Sequence, residues 1–251
     1  MAIIQARMTS TRLPGKVMMN VLGRPILSFQ LERASRVSAI DKIVIATTKN
    51  ESDEPIVEFG KTKGFSVFRG SEPDVLSRYQ EAATKYEADV IIRLTADCPI
   101  IDPDVISLVI KRFNEPKQHY DYVTNAIPRS YPAGLDIECF SRSALEIAAN
   151  EAIDDYDREH VTPFFYRHPE RFKLLSVVCE KNLAHERWTL DELPDFVLIR
   201  RIIETLYIRK PEFRMDDVIK LLDTHPDWRK INQLVKDTPR VLENKVFKGK
   251  L

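Results

Sequence analysis

Short apolar runs alternate with amphipathic stretches through roughly the first 115 residues. AIIQA near the N-terminus, KIVIAT (residues 42–47), FSVF (65–68) and DVIIRLT (89–95) each have the compact apolar character of a buried strand. Between them the spacing changes to that of helices. Leu27, Leu31 and Ala34 recur at helical intervals, and Ser52 is placed to cap a helix that starts at Asp53 and carries Ile56, Val57 and Phe59. Residues 72–86 show the clearest helical pattern: Val75, Leu76, Tyr79, Ala82, Ala83 and Tyr86 form one stripe, with Ser71 as the expected N-cap. Pro103 suits the first turn of a further helix. This alternation predicts a parallel sheet with right-handed crossovers and helices on both faces, a three-layer α/β/α architecture.

The pattern then loosens. YDYVTN and FKLLSVV read as strands, IPRSYPAGLD as a proline-rich loop, and a helix is expected from about Ser141. RWTL (residues 187–190) reads as a short strand that stops at Asp191, with helices near residues 195–207 and 215–222 and a frayed tail from about Thr238. No repeat or long Gly/Ser linker divides the chain, so a single domain over residues 1–251 is expected, with an inserted subregion.

Composition narrows the function. The 38 Lys plus Arg balance 38 Asp plus Glu, so the overall basic footprint of a nucleic-acid binder is absent. Cys98, Cys139 and Cys179 are far apart and form no CxxC pair, which suggests neither a disulfide framework nor a zinc site. No apolar run approaches the ~20 residues of a membrane span, and the opening run is too short for a signal peptide. The expectation is a cytoplasmic protein with no membrane partner.

With zero net charge, a local patch of cations is informative. The first strand breaks off into Arg7, Arg12 and Lys16, with Pro14-Gly15 just before the lysine. In open α/β sheets ligands sit beyond the carboxyl ends of the strands. There the chain places Arg7 and its loop, Thr47-Thr48, Arg69-Gly70-Ser71, and Thr95-Ala96-Asp97. The loop is not a P-loop, because Ser10 occupies the first glycine position and Val17 follows the lysine; no G-x-G-x-x-G occurs either. What remains is a cradle of small hydroxyl residues (Thr9, Ser10, Thr11), two arginines and a lysine, suited to phosphate. The alternative is a Pro-Gly turn with solvated charges around it. Asp97 at a strand end opposite this loop is what a phosphate-bound magnesium needs, and Asp191 is the candidate second ligand.

IIQARMTSTRLPGK, FRGSEPDVLSRY, RLTADCPIIDPDVI, NAIPRSYPAGLDIE, REHVTPFFYRHPE and RWTLDELPDF resemble, in that order, the spore coat polysaccharide biosynthesis protein F group. That group is related to the acylneuraminate and KDO (3-deoxy-manno-octulosonate) cytidylyltransferases, and the match covers roughly residues 2–207. The resemblance implies a glycosyltransferase-A-like nucleotidyltransferase fold with a mostly parallel mixed sheet. It also implies activation of a sugar acid by CTP with Mg²⁺, giving a CMP-sugar and pyrophosphate, and a homodimer. By position it implies a nucleotide-binding half (1–115), an acceptor and dimerisation subregion (116–190) and C-terminal helices (191–251). It assigns Arg7, Lys16 and Asp97 to catalysis. Ala6, Arg7, Ser10, Arg12, Lys16, Arg69, Gly70, Ser71 and Thr95 fall to the nucleotide, the Arg69–Ser71 stretch to its base. Asn125, Arg129, Tyr131, Asp136, Glu138, Arg158 and His160 fall to the acceptor, and Asp97 and Asp191 to the metal. Two motifs depart from the relatives: Gly-Asp-Glu-Pro reads Ala96-Asp97-Cys98-Pro99, and Val-Asp-Thr-Pro-Glu-Asp reads Leu190-Asp191-Glu192-Leu193-Pro194-Asp195.

Three other readings stay open at the level of sequence. One is a nucleotidyltransferase for a sugar 1-phosphate or phosphonate. Another is a glycosyltransferase using Asp102-Pro103-Asp104 as a metal-binding Asp-x-Asp, although that tripeptide reads as a helix start. The third is a binding subunit without turnover.

Overall fold

The computed structural model describes residues 1–235. The expected tail from Thr238 lies outside them. The strands β1 (Ala2–Gln5), β2 (Asn20–Val21), β3 (Arg24–Pro25), β4 (Ile43–Thr48), β5 (Ser66–Gly70), β6 (Val90–Thr95), β7 (Tyr122–Thr124), β8 (Glu138–Ser141) and β9 (Leu174–Ser176) follow in chain order. Seven of them make one sheet in the order β5-β4-β1-β6-β8-β7-β9, while β2 and β3 pair as a small hairpin. Every neighbouring pair from β5 to β6 is parallel. Only β8 runs against its neighbours, so the sheet is mixed and mostly parallel, as expected.

The helices are α1 (Ile26–Ser35), α2 (Glu54–Thr62), α3 (Val75–Lys85), α4 (Pro103–Phe113), α5 (Arg142–Glu151), α6 (Asp155–His160), α7 (Pro163–Arg167), α8 (Leu193–Leu206) and α9 (Met215–Thr224). Alternate residues of each strand serve opposite faces. Ala2 and Ile4 pack with Leu27, Leu31, Val105 and Ile106 of α1 and α4. Ile3 faces the other side, with Leu76 and Tyr79 of α3 and Leu145 of α5. A third apolar cluster joins Phe29 of α1 to Trp188 and to Phe196, Ile199 and Ile203 of α8. The result is the expected α/β/α sandwich with α8 and α9 buttressing one side.

Several local expectations need correction. Ser52 lies in a 3-10 turn (Glu51–Asp53), and α2 begins at Glu54 without a side-chain cap. The α3 helix starts later than expected, capped by Asp74, whose carboxylate accepts from the Ser77 amide at 2.9 Å. Ser71 lies one step upstream, its hydroxyl accepting from the Asp74 amide. Residues 187–190 are not a ladder strand. They cross from a single bridge at Ala133 to the Asp97 carbonyl, which accepts from the Leu190 amide at 2.8 Å. Their two partners lie on different loops, so no run of paired residues can form. The strand β8 lies within what reads as a loop-to-helix junction, because it opens on the acid Glu138 and only Cys139 and Phe140 follow as an apolar run. Asp102 caps α4 as expected, accepting from the Asp104 amide and the Met215 amide, while Asp104 pairs with Arg214. The Asp-x-Asp spacing is therefore spent on a helix start.

The three cysteines are free. Among the described residues no helix is long and apolar enough to cross a membrane.

Candidate functional site

The chain leaves β1 between two parallel neighbours. The route to β4 and β5 runs to one side of it, and β6 lies on the other. This is a topological switch point, where a crevice opens beyond the strand ends. The loop that fills it turns back on itself at Gly15, whose φ of 70° lies in the left-handed region that glycine enters without a Cβ penalty. The Gly15 amide donates to the Met8 carbonyl at 2.8 Å, and a 3-10 turn (Lys16–Met18) follows. Asp53 fixes the loop from below. Its fully buried carboxylate accepts from the Met8 amide at 2.7 Å and from both Thr47 and Thr48 hydroxyls. Burial pushes the Asp53 carboxyl up, but these hydrogen bonds outweigh it and hold it below the usual range.

The turn aims Lys16 at the acids. Its ammonium donates to the Leu190 carbonyl at 2.6 Å and to Asp191 at 3.0 Å, and lies 3.3 Å from Asp97. Arg12 reaches the same Asp191 oxygen at 2.8 Å, and Arg187 holds the other at 2.9 Å. Asp97 also accepts from the Thr95 hydroxyl. Desolvation raises the Asp97 carboxyl, yet Lys16 and the Thr95 and Cys98 hydrogen bonds hold it below the ordinary value. Burial likewise lowers Lys16, but Asp97 and Asp191 more than compensate and raise it. Both directions keep the lysine and the Asp97 carboxylate charged.

Behind Asp191 stands a support that the sequence reading missed. Arg187 also binds Asp195 through two bonds at 3.0 and 3.1 Å. The fully buried Asp195 accepts from the Asp191 and Glu192 amides, both at 3.0 Å, in a capping box whose N-cap, Glu192, precedes α8. The signal lay in Glu192-Leu193-Pro194-Asp195, an acid three residues after the cap with proline in the first turn. The segment is also pressed from the side by Gly134. A Cβ at Gly134 would lie 2.5 Å from the Trp188 carbonyl carbon and 2.6 Å from the Thr189 nitrogen.

The donor set around the Lys16 ammonium is two carboxylates and a carbonyl oxygen. Hard oxygens gathered around a positive charge suit a magnesium-like cation that draws its remaining ligands from water and phosphate. Among the described residues no group of three or more His, Cys, Asp or Glu converges. Two carboxylates are no complete cage, so an ion there would take its other ligands from water and substrate.

Over these groups lies a cavity of about 430 Å³. It brings together Ala6, Arg7, Ser10, Arg12, Lys16, Thr95, Asp97, His160 and Asp191 from the sequence expectations, and adds Gln5 and Arg78. Arg78 could have been noticed as a charge within the apolar stripe of its helix, three residues after Val75 and four before Ala82. A more open hollow of about 850 Å³ adjoins it, sharing Arg7 and Glu159 and including Arg158. Arg158 is tied there to the Ala149 and Ala152 carbonyls and to Asp74.

Other expected site residues are engaged elsewhere and do not line the cavity. Arg69 turns back to the Thr48 and Asn50 carbonyls and to Glu54. Gly70 faces Arg78 rather than the cavity, and Ser71 serves the turn before α3. Asn125 braces the Leu135 carbonyl and the Ile137 amide, Arg129 and Asp136 form a two-bond pair at 2.8 and 3.0 Å, and Tyr131 is buried in the core. Glu138 sits in β8, bound by Arg93, Tyr122 and Thr162. This acceptor segment is largely structural in the described conformation.

The arrangement joins a cationic turn, a strand-end acid and a distant second acid over one cavity, and comparison with known proteins gives it a lineage. The cytidylyltransferase family model matches residues 1–240. An uncharacterized protein of Methanocaldococcus jannaschii is 36% identical over 236 residues, covering 93% of this chain and 94% of that one. The spore coat polysaccharide biosynthesis protein SpsF of Bacillus subtilis is 33% identical over 233 residues, covering 90% and 94%. The solved structure of a cytidylyltransferase from Leptospira borgpetersenii superposes with a TM-score of 0.85 at 34% identity, covering 95% of this chain and 98% of that one. Sequence and fold thus agree along nearly the whole chain, which belongs to the cytidylyltransferase family of nucleotidyltransferase enzymes.

Proposed function

We propose that this enzyme transfers the cytidylyl group of CTP to a sugar acid of the nonulosonic type, such as a legionaminic or sialic-like acid. The products are a CMP-sugar and pyrophosphate, for surface polysaccharide biosynthesis. The observation that carries this reading is the meeting of Asp97 and Asp191 on Lys16 beneath the cavity. The resemblance of the chain to a polysaccharide biosynthesis protein supports the destination of the product.

In this reading a hydroxyl oxygen of the acceptor attacks the α-phosphorus. The bond from that phosphorus to the bridging oxygen breaks, its electron pair leaves with pyrophosphate, and the hydroxyl proton is released. Most of the catalysis is positioning and charge neutralisation. Arg12 and Lys16 stabilise the charge that builds on the leaving pyrophosphate, with Arg7 at the rim. Asp97 and Asp191 would hold magnesium, which supplies Lewis-acid neutralisation of phosphate charge and acidifies the attacking hydroxyl. Arg187 and Asp195 fix the orientation of Asp191. A homodimer is part of the proposal, with the irregular segment after Tyr122 as the expected contact.

The test is a pyrophosphate-release screen of CTP, UTP, GTP and ATP against nonulosonic acids, KDO, sugar 1-phosphates and phosphonates. Turnover with CTP and a nonulosonic acid is expected. Release confined to another nucleotide, or to a phosphorylated acceptor, refutes the assignment.

A further inference from the structure

Asn232 lies just beyond a 3-10 turn (Pro226–Lys230) and is only 4% exposed. Its side-chain amide donates to the Asp195 Oδ1 at 2.8 Å and to the Arg187 carbonyl at 3.1 Å. One nitrogen thus ties the backbone of Arg187 to the carboxylate that holds the Arg187 guanidinium. Arg229, from the same turn, grips the residue before: its Nε donates to the buried Glu186 at 2.7 Å. Trp228 and Ile231 pack on the apolar cluster that contains Trp188 and Phe196. The stretch 186–191 is therefore gripped by the Gly134 loop and by this C-terminal turn.

The contacts run on from Asn232 to the site. The Asp195 Oδ2 accepts from the Asp191 and Glu192 amides and from an Arg187 Nη. The other Asp195 oxygen is shared by Asn232 and the Arg187 Nε. With both oxygens held, the carboxylate cannot turn, and its two bonds set the plane of the guanidinium. That guanidinium donates to the Asp191 Oδ2 at 2.9 Å, while Lys16 and Arg12 hold Oδ1. A cation in place of Asn232 would compete with Arg187 for Asp195, and an acid would repel Asp195. A neutral amide donor does neither.

We propose that Asn232 is a positioning residue for cytidylyl transfer, acting through Asp195 and Arg187 to fix the direction in which Asp191 points. This rests on the proposed role of Asp191 in the reaction. Without the amide, one Asp195 oxygen depends on Arg187 alone. The guanidinium then follows Asp195 as it turns and releases Asp191. The C-terminal turn is in this way part of the working site, although it does not line the cavity over the acids.

Two measurements are compared for wild type, Asn232→Asp, Asn232→Leu and Arg229→Met. One is hydrogen exchange at the Asp191 and Glu192 amides of the ligand-free protein. The other is steady-state pyrophosphate release with CTP and a legionaminic or sialic acid. Asn232→Asp keeps the shape but sets a second carboxylate against Asp195. Asn232→Leu removes the donor at similar volume; a hollow of about 230 Å³ borders Asn232, and a smaller residue would admit water in place of the amide. In both variants the two amides should exchange about ten- to a hundredfold faster, the worth of a hydrogen bond to a charged group. Amides of β1 and β6 should keep their protection. kcat should fall about tenfold in Asn232→Leu and about a hundredfold in Asn232→Asp, the scale of a shift of about 1 Å, with KM for CTP little changed. Arg229→Met loosens the same turn without touching Asp195, so its urea midpoint should fall while its kcat stays at the wild-type value. Asn232→Leu carries the test if Asn232→Asp does not fold. Unchanged exchange in a folded Asn232 variant overturns the inference alone, leaving the cytidylyltransferase reading intact. Faster exchange with wild-type kcat also overturns it, making Asn232 an anchor of the fold only. An equal loss of kcat in Arg229→Met overturns it too, assigning the effect to docking of the turn as a whole. A wild type that releases no pyrophosphate from CTP with any acceptor overturns the proposed function, and this inference with it.

Discussion

Gly134→Ala tests whether the backbone around residue 188 is what delivers Asp191. The native φ is 104°, a region that side chains other than glycine enter at a cost of about 1–3 kcal/mol. The added methyl meets backbone atoms of Trp188 and Thr189 at 2.5 and 2.6 Å, contacts that no side-chain rotation relieves. Overpacking of this kind adds about 1–3 kcal/mol. The total is about 4 kcal/mol, which for a domain of this size lowers Tm by about 10 °C. The same push displaces the segment tied through the Trp188 amide to the Ala133 carbonyl at 2.6 Å and through the Leu190 amide to the Asp97 carbonyl. A shift of about 1 Å at a positioned acid costs about a hundredfold in rate. Differential scanning calorimetry and steady-state pyrophosphate release measure the two effects. Gly64→Ala is the control: its φ is 76°, but nothing lies within 4 Å of the new methyl. It should cost about 1 kcal/mol and leave kcat unchanged. If Gly134→Ala melts and turns over like Gly64→Ala, the close approach is not what holds the acid in place.

Asp97→Asn and Lys16→Ala should each lower kcat by about 10²–10³ with the fold retained by circular dichroism. Wild-type turnover by pure Asp97→Asn protein would remove that residue from the reaction. Glu138→Ala should destabilise the protein by about 3–5 kcal/mol in urea, because it takes the carboxylate from the largely buried Arg93. Its KM for the acceptor should not change; a raised KM at unchanged stability would restore the sugar-contact role expected from sequence. Asp53 has its folded pKa depressed, so its contribution is complete at neutral pH. That contribution is lost as pH falls below about 4, the unfolded carboxyl value, and on through the folded one. Urea midpoints of Asp53→Asn between pH 3 and 6 should therefore vary less with pH than those of wild type; equal slopes would refute the assignment.

The parallel half of the fold was readable because its strands are pure apolar runs separated by helices with clear stripes. That the Arg7–Lys16 turn and Asp97 would meet at one cavity was legible for a related reason: they follow such strands directly, at the strand ends where this architecture opens a crevice. Asp191 was reached as the acid that ends the short RWTL stretch; the structure sets it beside Lys16, although that stretch is held by a single bridge rather than a ladder. Arg187 and Asp195 were missed because their role is to hold Asp191, and a chain pattern shows spacing but not which acid turns inward. Glu138 misled for the opposite reason. A carboxylate in a polar-looking stretch suggests ligand contact, yet β8 buries it against Arg93, a residue distant in the chain. Arg69 was similar, a strand-end cation that curls back onto carbonyls nearby.

The lysine of the first loop donates to the carbonyl of Leu190 and the side chain of Asp191, far along the chain. On the proposed use of these two residues, a ribosome that has made only the parallel half has made no working enzyme, however well that half has collapsed. Competence arrives when the segment after Trp188 has emerged and docked. Truncation upstream of residue 191 should yield a protein that is inert rather than weakened.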